Sequence, residues 1–448
     1  MLKKLLYRSY RIFERMDRAV RNRLTPAGRL AVAGIVVSAA VGIDTHLSLA
    51  YQIFTFLLSL MMFSAAWSLF FPCRISGVRD LPKFGSAGQP LHYRMSLTSD
   101  MESRQSGLVA MEEMSDTAPS FNAFLTSREP GEERRNLFDR TMAYHRWNWL
   151  VRKQRNARVG KIPIPDLNRN RTCTLDATLT PMGRGHLNFK GIGILRPDPL
   201  GLTHARAWVP LQQKIPVFPK RYRLPFIKLS GARRYQPGGV ALTSSIGDSE
   251  EFASMRDYRP GDPMRRIHWK SWAKTGRPIV KEFQDEFYVR HGLVLDTFQK
   301  VGNDDLFEEA VSIAASFACS VQTQESLLDL IFVGPEAYCF TSGRGLAQID
   351  RTLEILASVN SCTDKPFKIL PPLVLERSEL LTSCICILLS WDRQRKEFIH
   401  SLEVSGVPLL VLLLSRDGKQ PDSEACQGIR SPVHVVDIGK VQECLSEI

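Results

Sequence analysis

A run of 42 residues, 30–71, contains no lysine or arginine and only one acidic residue, Asp44. About 20 apolar residues cross the hydrocarbon core of a bilayer, so this run is too long for one membrane helix and long enough for two. Thr25 and Pro26 suit an N-cap and a first helical position, and they predict that the first span begins there. The second span is expected over residues 47–71. A cleaved signal peptide does not fit, because the apolar run starts late and a second span follows at once.

Positive charge is concentrated at one end of the chain. Residues 1–29 carry nine Lys or Arg and two Asp or Glu, which accounts for +7 of the net charge of +13. No Lys or Arg lies in the short loop between the spans, and Arg74, Arg79 and Lys83 follow the second span. This bias predicts a multi-pass protein of the inner (cytoplasmic) membrane with both termini and the soluble domains in the cytoplasm. The nine cysteines include no CxxC pair, which favours free thiols and agrees with a reducing compartment.

Residues 1–24 form a basic segment with an apolar pattern close to helical spacing. The apolar positions are Leu5, Leu6, Ile12, Phe13, Met16 and Val20. The pattern predicts an interfacial helix on anionic lipid, so the bilayer is an expected partner. For the first few residues, a solvated basic tail is the alternative.

Residues 73–225 are predicted to form an antiparallel β-sandwich-like domain, because short β-type runs with period-2 alternation are separated by turn residues. A helical insertion is expected near residues 136–158, where Phe138, Tyr144, Trp147 and Trp149 are interleaved with arginines. Such a mixture suits single-stranded nucleic acid, but beside a membrane anchor an interfacial or packing role is favoured. Since most of the net charge belongs to the N-terminal end, no nucleic-acid partner is expected.

Residues 289–448 alternate continuous apolar runs, such as GLVLD and CICILLS, with amphipathic helical segments. That order predicts an α/β doubly wound, mostly parallel sheet. Ligands of such sheets bind at the carboxyl ends of the strands, where Asp296 and Asp392 are both expected.

Residues 226–288 are expected to connect the two domains, and they include MRDYRPGDPMRRIHWKSWAKTG at 255–276. Asp262 as N-cap, Pro263 at the first helical position and Gly276 after the last turn predict one helix of three turns. A basic stripe and a tryptophan side are expected on this helix, formed respectively by Arg266, Lys270 and Lys274 and by Trp269, Trp272 and Ala273.

Two interpretations of this helix remain open. In the first, buried tryptophans clamp the connector between the domains and the basic side chains are merely solvated. In the second, the clamp is kept and the basic stripe docks an acidic partner surface or the bilayer. His268 is expected to pack or to form a hydrogen bond rather than to catalyse.

Two motifs give the chain a resemblance to a known family. Arg-Gly followed by Asp-Pro-Leu-Gly-Leu lies at 184–202, and Tyr-x-Pro-Gly-Asp followed by Arg-x-Ile-His-Trp lies at 258–269. Together with LTPAGRL, VRDLP and a strand ending in LVLD, they resemble the bacterial domain of unknown function family 58. The resemblance implies a von Willebrand factor A-like C-terminal domain, association with MoxR-type AAA+ ATPases, and no assigned enzymatic activity.

The resemblance also marks two sets of motif residues. The partner-docking set is Arg256, Tyr258, Pro260, Gly261, Asp262, Arg266, His268, Trp269, Lys270 and Lys274. The β-domain set is Arg184, Gly185, Asp198, Pro199 and Gly201.

The metal site of the related fold is degenerate in this sequence. That site requires Asp-x-Ser-x-Ser after the first strand, because Mg²⁺ prefers hard oxygen ligands. Here Phe298 and Lys300 stand in the positions of the two hydroxyl residues that follow Asp296. No metal or other cofactor is therefore expected, although a weakly held, hydrated cation between Asp296 and Asp392 is an open alternative.

The predicted architecture is a two-helix transmembrane hairpin over 25–72, an antiparallel β-sandwich-like domain, and an α/β doubly wound (von Willebrand factor A-like) domain. The predicted function is a noncatalytic membrane-anchored scaffold that works with a cytoplasmic MoxR-type AAA+ ATPase in assembly or envelope-related processes. A metal-dependent adhesion module is one alternative, which the Asp296 loop disfavours. An uncharacterised enzyme is another, but the chain contains no GxSxG, HExxH, P-loop or GxGxxG motif.

Overall fold

The computed structural model divides the chain into two compact units, Met1–Phe218 and Pro219–Ile448. It describes residues 2–448 apart from 42–47, 70–73, 102–103, 115–117, 128, 130, 133–134, 155–156, 169–170, 226–239, 247–251, 263, 288, 300–303, 323–326, 335, 343–345, 417 and 419–427. Asp44, Pro263 and Lys300, which the sequence analysis singled out, lie outside the described residues.

Three helices begin the first unit: α1 (Leu2–Arg23), α2 (Pro26–Val41) and α3 (Ser48–Leu69). The apolar helices α2 and α3 pack together, and a Cβ added at Gly34 would lie 3.0 Å from Leu57 Cδ1. Within the described residues, one helix, Leu49–Leu69, is long and apolar enough to cross a membrane. Helix α2 has 16 residues and is about 24 Å long, which is shorter than the hydrocarbon core of about 30 Å.

Two sheets face each other in the rest of the first unit. One sheet has the order β1 (Ile75–Asp80), β3 (Leu91–Ser99), β7 (Thr172–Pro181) and β5 (Ala157–Val159), all antiparallel. The other has the order β2 (Gly85–Ser86), β9 (His204–Phe218), β8 (Gly185–Pro197), β4 (Val109–Met114) and β6 (Lys161–Pro163), with only the β2–β9 pair parallel. Met95 and Leu97 from one sheet and Ile192 and Ile194 from the other are fully buried in a shared core.

A helical insertion connects β4 and β5, and it consists of α4 (Phe121–Thr126), α5 (Leu137–Met142) and α6 (Tyr144–Gln154). Trp147 is buried there and contacts the rings of Phe124, Tyr7 and Tyr10. Its indole is therefore used for packing α6 against α1, in agreement with the favoured interpretation of this insertion. Phe138 is exposed.

The second unit begins with an antiparallel sheet in the order β10 (Val240–Ile246), β12 (Ile279–Phe287) and β11 (Phe252–Asp257), and α7 (Trp269–Thr275) lies between β11 and β12 in sequence. Residues 219–225, which the sequence analysis assigned to the β domain, belong to this unit. The reason is local packing, because the Tyr222 amide donates to Ser316 Oγ (2.8 Å) and its hydroxyl donates to Glu309 Oε2 (2.5 Å).

The largest sheet has six strands in the order β15 (Ala337–Ser342), β14 (Leu327–Val333), β13 (Arg290–Leu295), β16 (Ser383–Leu388), β17 (Leu409–Ser415) and β18 (Val433–Asp437). All neighbours are parallel except β14 and β15. Its helices are α8 (Asp304–Gln322), α9 (Leu346–Ser358), α10 (Leu370–Leu375), α11 (Arg393–Val404) and α12 (Val441–Ser446). The direction of strand order reverses at β13 and β16, so the carboxyl ends of these two strands bracket the usual ligand position.

Candidate functional site

An ion pair closes the turn after β11. Arg256 donates two hydrogen bonds to the Asp262 carboxylate, at 2.7 and 2.8 Å, and the Arg259 amide donates a third at 2.8 Å. Hydrogen bonds from the Arg256 side chain and then from the Arg259 amide lower the pKa of Asp262 to about 2. Gly261 has φ = +108°, a backbone conformation that favours glycine.

The prediction that Asp262 caps one long helix is wrong. Met264–Arg266 form a 3₁₀ turn, and the α-helix itself starts at Trp269. Between them, Ile267 forms a β-bridge with Val280, and the His268 amide donates to the Ile279 carbonyl at 2.8 Å. Pairing with β12 therefore interrupts the helix, and Asp262 closes the preceding turn instead. The predicted helix end at Gly276 is confirmed, with φ = +69°.

The predicted burial of both tryptophans is wrong for Trp269, whose exposed fraction is 62%. Its ring stacks on the half-buried Trp272, with centroids 5.3 Å apart. Ile267 and Val280, which are 7% and 2% exposed, occupy the interior position instead. Because the chain leaves the helical path at Ile267, that residue turns inward and Trp269 turns outward.

The predicted basic stripe is shorter than expected. Lys270 and Lys274 are exposed one helical turn apart on α7, but Arg266 is half-buried and precedes the helix. Met255 on β11 is exposed and its sulfur lies 3.4 Å from Ser271 Oγ of α7. We call the exposed side chains of Met255, Trp269, Lys270 and Lys274 the connector surface.

Three further motif residues support this module. The Tyr258 amide donates to the Pro278 carbonyl at 2.9 Å, which joins the start of the turn to β12. His268 Nδ1 and Ser271 Oγ form a hydrogen bond of 2.6 Å, as expected for a hydrogen-bonding histidine. Pro260 is exposed in the turn.

The β-domain motif is divided between the two ends of β8. Gly185 begins the strand, directly after Arg184, with φ = +120°. Asp198 follows the other end and is 5% exposed, and its carboxylate accepts from the Thr203 amide at 2.7 Å. Gly201 completes this turn with φ = +66°. The structure therefore does not bring Arg184 and Gly185 together with Asp198, Pro199 and Gly201.

The Asp198–Thr203 turn contacts both apolar helices. Thr25 Oγ1 donates to the carbonyl oxygens of Gly201 (2.5 Å) and Leu202 (3.1 Å). Thr203 Oγ1 lies 2.7 Å from Ser64 Oγ of α3. At Gly28 an added Cβ would lie only 2.0 Å from the Leu202 carbonyl oxygen. The motifs LTPAGRL and DPLGL thus meet, a contact that their separation in sequence conceals.

A buried arginine lies at the carboxyl end of β13. Asp296 is fully buried, and its carboxylate accepts from the Phe298 amide (3.0 Å), the Leu389 amide (3.1 Å) and Arg395 Nε (2.6 Å). Arg395 also donates to Asp392 Oδ2 (2.5 Å) and to the Phe298 carbonyl (2.9 Å). Burial raises the pKa of Asp296, and the Arg395 guanidinium opposes that rise.

These residues do not fit a divalent cation. Both oxygens of the Asp296 carboxylate already accept protein hydrogen bonds, and the Phe298 ring, which is 7% exposed, offers no ligand. The Arg395 guanidinium lies between Asp296 and Asp392, and it fills the space that a hydrated cation would need. That alternative is therefore contradicted. The sequence analysis did not identify Arg395. The signal for it was its position three residues after Asp392, at the start of a predicted helix, where the two side chains can pair.

Comparisons with known proteins agree with part of the predicted resemblance. Residues 254–368 match the family model described as "Protein of unknown function DUF58", so the resemblance to that family is confirmed for this segment. The chain is 25% identical over 279 residues to "Uncharacterized protein YeaD" of Bacillus subtilis (strain 168). That match covers 60% of this chain and 65% of the relative's length.

Two solved structures share short, distant similarity. A mutant Salmonella alpha-2-macroglobulin is 11% identical and has a TM-score of 0.18, with 39% of this chain and 8% of that chain covered. A late embryogenesis abundant protein in solution is also 11% identical with a TM-score of 0.18, and 36% of this chain and 83% of that chain are covered.

Proposed function

We propose that this chain is a noncatalytic, membrane-anchored scaffold that binds a protein partner through the connector surface. The observation that carries the proposal is Trp269, whose side chain is 62% exposed in a turn-and-helix module that other residues hold in place. The partner we propose is a cytoplasmic MoxR-type AAA+ ATPase, which the resemblance to domain of unknown function family 58 implies. The proposed setting is assembly or envelope-related work at the bacterial inner membrane.

An exposed tryptophan of this kind suits recognition. Tryptophan dominates binding energy at many protein interfaces, and methionine is also enriched there. Trp269 is not needed to fill the interior, because Ile267 and Val280 do so. The module is also preorganised by the Arg256–Asp262 ion pair, which lowers the entropy that binding must remove.

The charge of the connector surface favours an acidic partner. Lys270 and Lys274 are exposed beside Trp269, and neither forms an ion pair with any residue that the structure describes. Lysines around an aromatic anchor steer an acidic surface toward it, and this contribution weakens with salt.

The anchor we propose consists of α2 and α3. Helix α3 is long enough to span a bilayer, and α2 packs against it with Arg29 in its first turn, where a long side chain reaches the headgroups. The basic residues before α2 and after α3 favour cytoplasmic placement of both ends.

The adhesion alternative is not supported by the geometry at Asp296. Its carboxylate is bound to Arg395, and within the described residues no group of three His, Cys, Asp or Glu side chains is arranged to hold a metal ion. The enzyme alternative has no specific observation in its favour.

Co-purification from solubilised membranes tests the proposal. The full chain carrying Lys270→Glu and Lys274→Glu is compared with wild type and with a matched control, Lys190→Glu and Lys214→Glu, two exposed lysines of the other unit. We expect the connector variant to melt like wild type and to lose a AAA+ ATPase identified by mass spectrometry, because surface charges rarely change stability by more than about 0.5 kcal/mol. The control is expected to retain the ATPase. Equal recovery by the connector variant at low and high salt would mean that the lysines are only solvated.

A further inference from the structure

Helix α1 presents three different faces, and among the described residues one of them packs on its own unit. Leu6 is buried, and Tyr7 and Tyr10 contact Trp147 at 5.6 and 5.9 Å between ring centroids. Their hydroxyls donate to the carbonyls of Pro119 and Met142, both at 2.9 Å. These contacts fix how the helix is rotated about its axis and therefore which residues face outward.

The second face is apolar and exposed. Five large side chains are between 42% and 66% exposed, namely Leu5, Ile12, Phe13, Met16 and Val20. A continuous apolar stripe on a helix whose rotation is fixed indicates an interaction surface whose partner is apolar.

The third face is a basic stripe beside the apolar one. It consists of Lys4, Arg8, Arg11 and Arg15, spaced so that they lie along one side of the helix. None of the four is ion-paired to a described residue, whereas Glu14 and Asp17 pair with Arg18 and Arg21. The four basic side chains line an open groove of about 380 Å³ together with Tyr7, Ile12 and Phe121.

We infer that this basic stripe binds the phosphate headgroups of anionic phospholipids while the apolar face enters the acyl boundary. Arginines bind phosphate oxygens through paired hydrogen bonds, and an adjacent apolar stripe is the signature of a helix in the bilayer interface. Only Leu24 and Thr25 separate α1 from the apolar helix α2, and Thr25 is held to the Leu202 carbonyl. An acidic protein would complement the positive charges, but it would not account for the direct continuation of α1 into the apolar helices α2 and α3. The inference rests on the proposed membrane anchoring.

Lipid titration of the full chain tests this inference. The protein is purified in a neutral detergent and titrated with dioleoyl-phosphatidylglycerol or dioleoyl-phosphatidylcholine, and bound lipid is counted by native mass spectrometry. Each basic residue near an anionic headgroup strengthens binding roughly fivefold. We expect wild type to prefer phosphatidylglycerol at least about tenfold, and the variant with Lys4, Arg8, Arg11 and Arg15 changed to Gln to lose that preference.

Two controls separate charge from folding. Changing Lys161, Lys190, Lys214 and Lys368, all exposed, to Gln removes the same charge elsewhere and should leave the preference intact. Changing Arg8, Arg11 and Arg15 to Lys keeps the charge and should retain most of the preference.

Two results would overturn the inference: equal affinity of wild type for both lipids, or an unchanged preference in the Gln variant of α1. Extraction with alkaline carbonate distinguishes this failure from failure of the anchoring. A chain that leaves the membrane overturns the anchoring and this inference with it. An anchored chain without a phosphatidylglycerol preference overturns this inference alone.

Discussion

At the scale of single residues, Arg395 determines the chemistry at the carboxyl ends of β13 and β16. Arg395 is 4% exposed, and its guanidinium binds Asp296, Asp392 and the Phe298 carbonyl and lies 4.5 Å from the centroid of the Phe367 ring. The positive charge that faces the buried Asp296 carboxylate is therefore supplied by the chain itself.

Substitution of Arg395 by Ala should leave the buried Asp296 carboxylate with the Phe298 and Leu389 amides but without its positively charged partner. Removing one member of a buried ion pair typically costs about 3–5 kcal/mol, so we expect the variant to unfold at much lower denaturant concentration. The stability of Arg395→Lys should lie between those of Arg395→Ala and wild type, because an ammonium keeps the charge and loses the planar geometry.

The melting temperature of wild type should be unchanged by Mg²⁺. A magnesium-dependent rise in its melting temperature that Asp296→Ala abolishes would contradict this account.

His291 should make the second unit less stable in acid. Burial lowers its pKa to about 4, whereas an unfolded histidine titrates near 6.5. The unfolded state therefore binds more protons between these values, so stability is complete above about pH 6.5 and is lost as the pH falls toward about 4. This lowering of the pKa corresponds to a loss of about 3 kcal/mol in the free energy of unfolding.

The matched variant is His291→Gln, which does not titrate and retains a hydrogen-bonding group for Ser383, whose Oγ lies 2.7 Å from His291 Nδ1. Urea unfolding between pH 7 and 4 should show a steeper loss of stability for wild type than for the variant. Parallel curves would show that His291 is not the group responsible.

At the scale of elements, the contact between the β8–β9 turn and α2 depends on the absence of a side chain at Gly28. A Cβ there would lie 2.0 Å from the Leu202 carbonyl oxygen, a backbone atom that cannot move without the turn. Gly28→Ala should separate the turn from α2 and cost about 1–3 kcal/mol. Hydrogen exchange of the Thr25 and Thr203 amides should become faster, since these amides donate within this contact.

Gly34 provides the control for this prediction on the same helix. A Cβ at Gly34 meets the end of the flexible Leu57 side chain at 3.0 Å, so Gly34→Ala should be tolerated. Equal exchange rates of these amides in wild type and Gly28→Ala would show that the contact between the turn and α2 does not depend on Gly28.

The elements that the sequence predicted well are those whose pattern is local. The apolar runs GLVLD and CICILLS correspond to β13 and β16, and the period-2 alternation predicted for the β domain is seen in β3, where buried and more exposed residues alternate. The connector helix was predicted too long because it is interrupted where Ile267 pairs with Val280. Local helix propensity does not report a β-bridge between residues that are distant in sequence. Arg395 was missed for the same reason, since its partner Asp296 is 99 positions away.

At the scale of the whole molecule, topology is the first requirement of the proposal. Reporter fusions at position 46 and at the C-terminus should place the short loop outside the cytoplasm and the C-terminus inside it. We expect this orientation because nine Lys or Arg lie within residues 1–29, eight of them before α2 and Arg29 in its first turn, and because the loop contains no Lys or Arg. A C-terminus outside the cytoplasm would be incompatible with a cytoplasmic ATPase partner.

The central claim is that an exposed tryptophan on a rigid module recognises the partner, and one binding titration tests it most directly. A purified MoxR-type ATPase is titrated against the full chain as wild type, as Trp269→Ala, and as Phe138→Ala, which removes another exposed ring, 71% exposed, from the first unit. Loss of a central aromatic anchor costs about 2 kcal/mol or more, so Trp269→Ala should raise Kd roughly 30-fold with an unchanged melting temperature. Phe138→Ala should stay within about twofold of wild type. An unchanged Kd for Trp269→Ala, or equal weakening in both variants, would contradict the account.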